Sequence, residues 1–189
     1  MFSLGYGVYL FLFSLGLAVF EIQIEGKHGW AEKLPCWRPR QDSFVGKAWV
    51  KITGKKLTGY HASLLSLVFL TLHLPFFLGM NWGLIKELEV ISGYFLLWVA
   101  EDFLWFVLNP YYGMKNFKPE NIWWHKKWVG NVMPMDYPVG IGTGFFFSVI
   151  AVVFGGGWRA LLDFWMVAAI LFSLVLLVVA LSEVFWRNR

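Results

Sequence analysis

Hydrophobic residues run along this chain in five long stretches, which shorter polar segments separate. A helix needs about 20 apolar residues, at about 1.5 Å of rise each, to cross the hydrocarbon core of a bilayer. The stretches that meet this need cover residues 2–20, 60–78, 88–108, 139–154 and 160–186. The pattern predicts an all-α integral membrane protein, with a single membrane domain over residues 1–189 built as a bundle of five transmembrane helices.

The polar segments predict an orientation. With five spans, residues 21–59, 109–138 and 187–189 share one side of the membrane, and they hold all of the 16 Lys and Arg residues except Lys86 and Arg159. Cytoplasmic loops carry the excess of Lys and Arg. We therefore expect a protein of the cell membrane with its N-terminus outside, its C-terminus in the cytoplasm, and two long cytoplasmic loops.

Composition and charge narrow the function classes. A chain with 58% hydrophobic and 15% charged residues is neither a soluble domain nor a disordered one. The single Cys36 excludes a disulfide scaffold, and in a cytoplasmic loop we expect it to be a free thiol. The net charge of +4 accompanies long apolar runs. The predicted partners are thus membrane lipids, including anionic head groups at the cytoplasmic face, and not nucleic acid.

The first cytoplasmic loop contains a short segment of mixed polarity, Lys47 to Lys56. Its alternation of polar and apolar residues around Gly54 permits a short hairpin. A basic amphipathic stretch at the membrane surface is equally permitted. The sequence leaves both structures open.

Aromatic and glycine residues favour packing roles. Most of the 12 Trp residues lie near predicted span borders, which is typical of an interfacial belt. Trp98 and Trp105 lie deeper, seven residues apart on the third span, where they either line a pocket or pack. Gly140, Gly142 and Gly144 open an apolar span and do not follow a strand, so we expect close helix approach and not a phosphate loop.

Two adjacent carboxylates, Glu101 and Asp102, fall inside the third span. They precede Asn109-Pro110, where the helix must end, so helical rise places them about 10–12 Å inside the cytoplasmic border. A charged side chain at the centre of a span costs about 2.5–3.5 kcal/mol on the insertion scale. Both residues must therefore face a cavity or polar partners. Anchoring of loops by nearby Lys and Arg, the simplest alternative, does not require this depth.

Three potential metal-binding residues follow the first span on one side of the predicted helix. Glu21, Glu25 and His28 are spaced i, i+4, i+7, and they share an arc of about 60° if the helix continues past the border. Glu-x-x-His is the helical unit of di-iron and di-manganese carboxylate bundles, although only one such unit occurs here. Gly26 and Gly29 also weaken the helix that would present it.

The other histidines are placed by topology. His61 begins the second span and His125 lies in the second cytoplasmic loop, so both can reach the acidic residues. His73 lies nearer the outer side, where we expect it to be packed or bonded to backbone. The candidate catalytic residues are then Glu101, Asp102 and His125, and the candidate ligands for an Fe, Mn or Zn ion are Glu21, Glu25, His28 and His61.

Three functions are compatible with these residues. The first is a membrane-embedded enzyme whose cytoplasm-facing carboxylate/histidine site, with or without a metal, acts on a lipid or isoprenoid, with Trp105 and Tyr112 as pocket walls. The second is a small cation or proton transporter with Glu101 and Asp102 on its pathway. The third is a non-catalytic membrane subunit or assembly factor, and an oligomer or larger complex is open under all three.

Overall fold

The computed structural model describes residues 3–40 and 42–187. In chain order its helices are α1 (Ser3–Glu25), α2 (Phe44–Thr53), α3 (Gly59–Phe77), α4 (Leu84–Leu108), α5 (Asp136–Ala151) and α6 (Arg159–Arg187). Strands β1 (Trp128–Val129) and β2 (Met133–Pro134) pair antiparallel in the loop before α5. A π-helical turn, Val152–Gly156, extends α5. Within the described residues, five helices are long and apolar enough to cross a membrane, namely α1, α3, α4, extended α5 and α6. The predicted number is confirmed.

Helix boundaries differ from the predicted ones mainly at α1 and α4. Helix α1 continues past Phe20 to Glu25, and α4 begins at Leu84, four residues earlier than expected. The apolar pattern stops at the first charged residues. Helix α1 continues because it buries Glu21 and Glu25, whereas the first turn of α4 carries Lys86 and Glu87 partly exposed. Phe2, Asn188 and Arg189, which the predicted first span and C-terminal segment contain, lie outside the described residues.

Helix α4 is the centre of the bundle, with α1, α3, α5 and α6 packed around it. Its apolar window is 67% buried, against 17–44% for the other four spans. Leu96, Leu97 and Phe106 are almost fully enclosed. The Ser14 hydroxyl of α1 donates a hydrogen bond to the Leu97 carbonyl at 3.1 Å, which ties α1 directly to the central helix. Of the five described spans, α4 therefore has the most enclosed side chains.

Two glycines of α5 allow its close approach to α4. A Cβ atom on Gly140 would lie 2.6 Å from Val99 Cγ2, and one on Gly144 would lie 3.0 Å from the Ser92 carbonyl oxygen. A Cβ atom on Gly142 would meet nothing within 4 Å. The predicted close approach is thus confirmed for the i, i+4 pair and does not involve the glycine between them.

Helix α2 replaces the hairpin that the sequence permitted, and that alternative is wrong. Ser43 caps the helix because its hydroxyl accepts the Gly46 N–H at 3.1 Å. Gly54, with φ of 71°, ends it and donates its N–H to the Val50 carbonyl at 2.8 Å. A cap at each end, which alternation alone does not reveal, favours the helix. Phe44 and Ile52 project from it almost fully exposed.

The glycine contacts predict opposite effects of two alanine substitutions. Gly144→Ala should lower the thermal stability of the purified protein, by about 1–3 kcal/mol, because the new methyl group meets backbone. Gly142→Ala should leave stability unchanged or raise it by up to about 1 kcal/mol, since alanine is the better helix former. Thermal unfolding in one detergent measures both. Equal losses in the two variants would contradict this packing.

Candidate functional site

Polar side chains from four parts of the chain meet at one end of the bundle. Helix α1 brings two of them at its C-terminal end, α3 one at its start, α4 two, and the loop before α5 one. Five are at least nine-tenths buried, and the sixth, Asp102, has its side chain 28% exposed. The residues are Glu21, Glu25, His61, Glu101, Asp102 and His125. The structure thus places six of the seven predicted site residues at one end.

Glu21, Glu25 and His61 form a compact group. One ligand atom from each lies within 4.8 Å of the others. Thr58 orients the histidine, because its hydroxyl caps α3 by accepting the His61 N–H at 3.2 Å and also lies 2.8 Å from His61 Nδ1. The opposite ring nitrogen, Nε2, consequently faces Glu25 Oε1 at 3.7 Å.

The loop after α1 folds back over this group. Trp30 stacks on the His61 ring, with centroids 3.9 Å apart and planes 18° apart. Ala31 donates its N–H to Glu25 Oε1 at 2.6 Å. Trp30 and Ala31 both have positive φ, 58° and 51°, which is uncommon for residues other than glycine. This backbone turn directs the ring and the N–H inward, so the loop encloses the carboxylate and the imidazole.

His28 lies apart from the group. Helix α1 ends at Glu25, and Gly26 turns the chain with a φ of 59°. The continuous helix that would align His28 with Glu21 and Glu25 therefore does not form. Its Nδ1 lies 3.5 Å from Glu32 Oε2, with the side chain 35% exposed.

A second network surrounds His125. Its Nδ1 lies 2.8 Å from Asp136 Oδ2 and its Nε2 lies 3.1 Å from Asp102 Oδ2. Tyr137 donates its hydroxyl to Asp102 Oδ2 at 2.7 Å, and Lys55 Nζ lies 2.8 Å from Asp136 Oδ2. Ionised carboxylates only accept hydrogen bonds, so with Asp102 and Asp136 ionised both ring nitrogens donate and the ring is an imidazolium. Burial alone lowers the pKa of His125, but the charge of Asp102 and the hydrogen bonds to both aspartates outweigh burial and raise that pKa.

Two buried carboxylate oxygens lack a donor. Among the described residues, no donor reaches Glu21 Oε1 or Glu101 Oε1 with hydrogen-bonding geometry, although the Tyr60 hydroxyl lies close to the Glu21 side chain. Glu101 is only 3% exposed, and it lies within electrostatic range of Glu21 and Glu25. Burying an ionised carboxylate without a partner is very costly. These oxygens therefore need a proton or a cation beside them.

Sequence reasoning missed Lys55, Thr58, Asp136 and Tyr137. Thr58 and Asp136 had a usable signal, since each stands at the start of an apolar helix where capping or acidic residues are favoured. Lys55 had none, because it belongs to a run of basic residues typical of a membrane surface. Its side chain is only 9% exposed, over the Trp30 ring at 4.6 Å.

Histidine and aromatic residues outside the group have packing roles. His73 bonds the Phe69 carbonyl through Nδ1 at 2.6 Å, as the backbone-bonded expectation requires, and its Nε2 lies 2.9 Å from Glu87 Oε1. Trp105 is 4% exposed and packs on Tyr112 and Trp124. The indole is thus part of an aromatic packing cluster with Tyr112 and Trp124.

The chemistry open to the site is set by its side chains. Carboxylates and imidazoles transfer protons and bind divalent cations. No protein-family model, curated protein or solved structure matches this chain.

The raised pKa of His125 predicts how stability depends on pH. Its charged form stabilises the fold fully below the ordinary pKa of 6.5, and this contribution is lost as the pH rises through the higher folded value. The thermal stability of the wild type should therefore fall as the pH rises from 6.5 through the pKa of His125 in the folded protein. His125→Gln should lose this pH dependence and destabilise the protein by about 3–5 kcal/mol, because it breaks a buried ion pair.

His28→Gln is the matched control, since that imidazole is partly exposed and lies outside the network. It should keep the pH dependence of the wild type. An unchanged pH profile in His125→Gln would contradict the imidazolium between two aspartates.

Proposed function

We propose that this chain is an integral membrane enzyme of the cell membrane that acts on a lipid or isoprenoid at its carboxylate/histidine site. Glu101 exchanges a proton with the substrate, and Asp102 and His125 position the substrate. The observation that carries the proposal is Glu101 Oε1, a buried carboxylate oxygen with no donor among the described residues. A structural acid would have one, as Asp102 and Asp136 do.

The packing of α3 supports access from the bilayer. Helix α3 carries His61 and packs on α4, while α1 carries Glu21 and Glu25 and packs on α4 and α6. The site therefore lies where α1 and α3 flank the same end of α4. We propose that a lipid enters between α1 and α3 and reaches the carboxylates from the apolar phase, a route that suits a substrate with a long hydrocarbon tail.

The loop side of the site is proposed to face the cytoplasm. The excess of Lys and Arg on this side supports that orientation, with the N-terminus outside. Helix α2 supports contact with anionic head groups there, because exposed Phe44 and Ile52 share the helix with Lys47 and Lys51. A cavity of about 30 Å³ beside α2 adds Arg38 and Lys56 to this basic surface.

Cys36 provides a direct test of the orientation. It is the only cysteine of the chain, lies in the loop between α1 and α2, and is partly exposed. In intact cells a membrane-impermeant maleimide should leave it unlabelled, and labelling should appear once the membrane is permeabilised. The double variant Cys36→Ser, Met80→Cys should show the reverse, because Met80 lies in the opposite turn. Labelling of Cys36 in intact cells would overturn the orientation.

Enzymatic action is tested by mass spectrometry of lipids. The purified chain is placed in nanodiscs of phosphatidylethanolamine, phosphatidylglycerol and a polyprenyl phosphate, in D₂O buffer. The wild type should convert one of these lipids or introduce deuterium into it. Glu101→Gln should slow this by about 10²–10⁴-fold, the usual contribution of a general acid or base.

Glu120→Gln is the matched control, because it removes an exposed carboxylate from the same loop side. It should retain the full rate. If no lipid changes in the wild type, or if Glu101→Gln keeps its rate, the enzyme proposal is wrong. Proton flux in liposomes that Asp102→Asn abolishes would then favour a transporter.

A further inference from the structure

The charges at the site divide into a balanced set and an unbalanced one. Asp102 and Asp136 face the His125 imidazolium and the Lys55 ammonium, so two negative charges meet two positive ones. Glu21, Glu25 and Glu101 have no Lys or Arg ion pair among the described residues, and His61 is the basic side chain beside them. Up to three buried negative charges therefore need protons or a further source of positive charge.

The two histidines respond differently to their carboxylates. His125 lies at hydrogen-bonding distances of 2.8 and 3.1 Å from its aspartates. His61 Nε2 stands 3.7 Å from Glu25 Oε1, beyond hydrogen-bonding distance, although both side chains are buried. A proton shared between His61 and Glu25 would draw them together as it does at His125. The separation instead leaves space between the two atoms.

The distance between His61 Nε2 and Glu25 Oε1 matches the separation of two ligand atoms bound to one metal ion. Zinc binds histidine nitrogen and carboxylate oxygen at about 2.0–2.2 Å, so two ligand atoms at angles near 110–120° lie roughly 3.4–3.7 Å apart. The observed 3.7 Å falls at the upper end of this range. One ligand atom from each of the three residues lies within 4.8 Å of the others. Ligand atoms of one tetrahedral ion lie at most roughly 3.7 Å apart, so a rotation of one carboxylate that shortens the longest separation by about 1 Å completes the site.

The surroundings also prepare His61 for a metal. The Thr58 hydroxyl lies 2.8 Å from Nδ1, where it can accept the ring N–H and leave the Nε2 lone pair free. Trp30 fixes the plane of the ring by stacking. Glu25 is held by the Ala31 N–H. Supporting contacts of this kind orient metal-binding histidines and carboxylates in proteins.

We infer that Glu21, Glu25 and His61 bind one divalent ion of the Mn²⁺, Fe²⁺ and Zn²⁺ group. Carboxylate with imidazole suits these ions, whereas Cu(I) prefers sulfur ligands. The unpartnered Glu21 Oε1, on a side chain only 6% exposed, is the independent sign of a missing ligand. This inference deepens the proposed function and rests on the same site. It assigns Glu101 to the proton transfer beside the ion and leaves His28 out of the ligand set.

Metal content of the purified full-length chain tests the inference. The protein is stripped with a chelator, equilibrated with Mn²⁺ or Zn²⁺, desalted and analysed by mass spectrometry of the elements. The wild type should retain about one ion per chain. Glu21→Gln and His61→Gln should each weaken binding by tenfold or more, because each removes a ligand.

Two control variants separate this inference from the enzyme proposal. His28→Gln should bind the ion as the wild type does, since the imidazole lies outside the group. Glu101→Gln should also retain the ion while losing lipid turnover. Metal binding without any turnover would therefore overturn the enzyme proposal alone, and turnover without bound metal would overturn the metal site alone.

A spectroscopic readout covers the case in which a ligand variant fails to fold. Electron spin echo spectra of the Mn²⁺-loaded wild type should show coupling to one imidazole nitrogen. Absence of that coupling, equal loss of metal in His28→Gln, or undiminished binding in Glu21→Gln and His61→Gln would each overturn the inference.

Discussion

Negative charge enclosed at one end of an apolar bundle is the constraint on which the rest of this structure depends. Helices α1 and α4 each carry two acidic residues to that end, and the interior of the bundle cannot solvate them. The loops compensate. The loop after α1 delivers a backbone N–H to Glu25, and the loop before α5 delivers His125 to Asp102. Loop conformation and the positions of the helix ends thus follow from the need to satisfy carboxylates.

In the described part of the chain, all of the close carboxylates in the half of the site around His125 have hydrogen-bond donors, whereas not all of those in the half around His61 do. Around His125 every close carboxylate has a donor, so that half is a fixed scaffold. Around His61 two carboxylate oxygens have none among the described residues. Unsatisfied buried groups destabilise a fold and are retained where they serve binding or catalysis. The contrast between the two halves supports the proposed chemistry at Glu21, Glu25 and Glu101, with the His125 network as its scaffold.

The sequence predicts much of the fold, because apolar length alone identifies helices that can cross a membrane. The depth of Glu101 in its span likewise indicates a polar site, since a carboxylate at that depth requires polar surroundings. The conformation of the loops could not be predicted from the sequence. A positive φ at Trp30, the end of α1 at Gly26 and the burial of Lys55 depend on contacts between residues distant in sequence. The periodicity that grouped His28 with Glu21 and Glu25 assumed that α1 continues as far as His28. In the structure α1 ends at Glu25.

The most direct measurement is anomalous X-ray scattering from crystals of the chain grown with Mn²⁺. The account predicts one anomalous peak, bonded to His61 Nε2 and to carboxylate oxygens of Glu21 and Glu25 at about 2.0–2.2 Å. A peak confined to the protein surface, or Glu21 and Glu25 turned away from His61 with no peak between them, would contradict it.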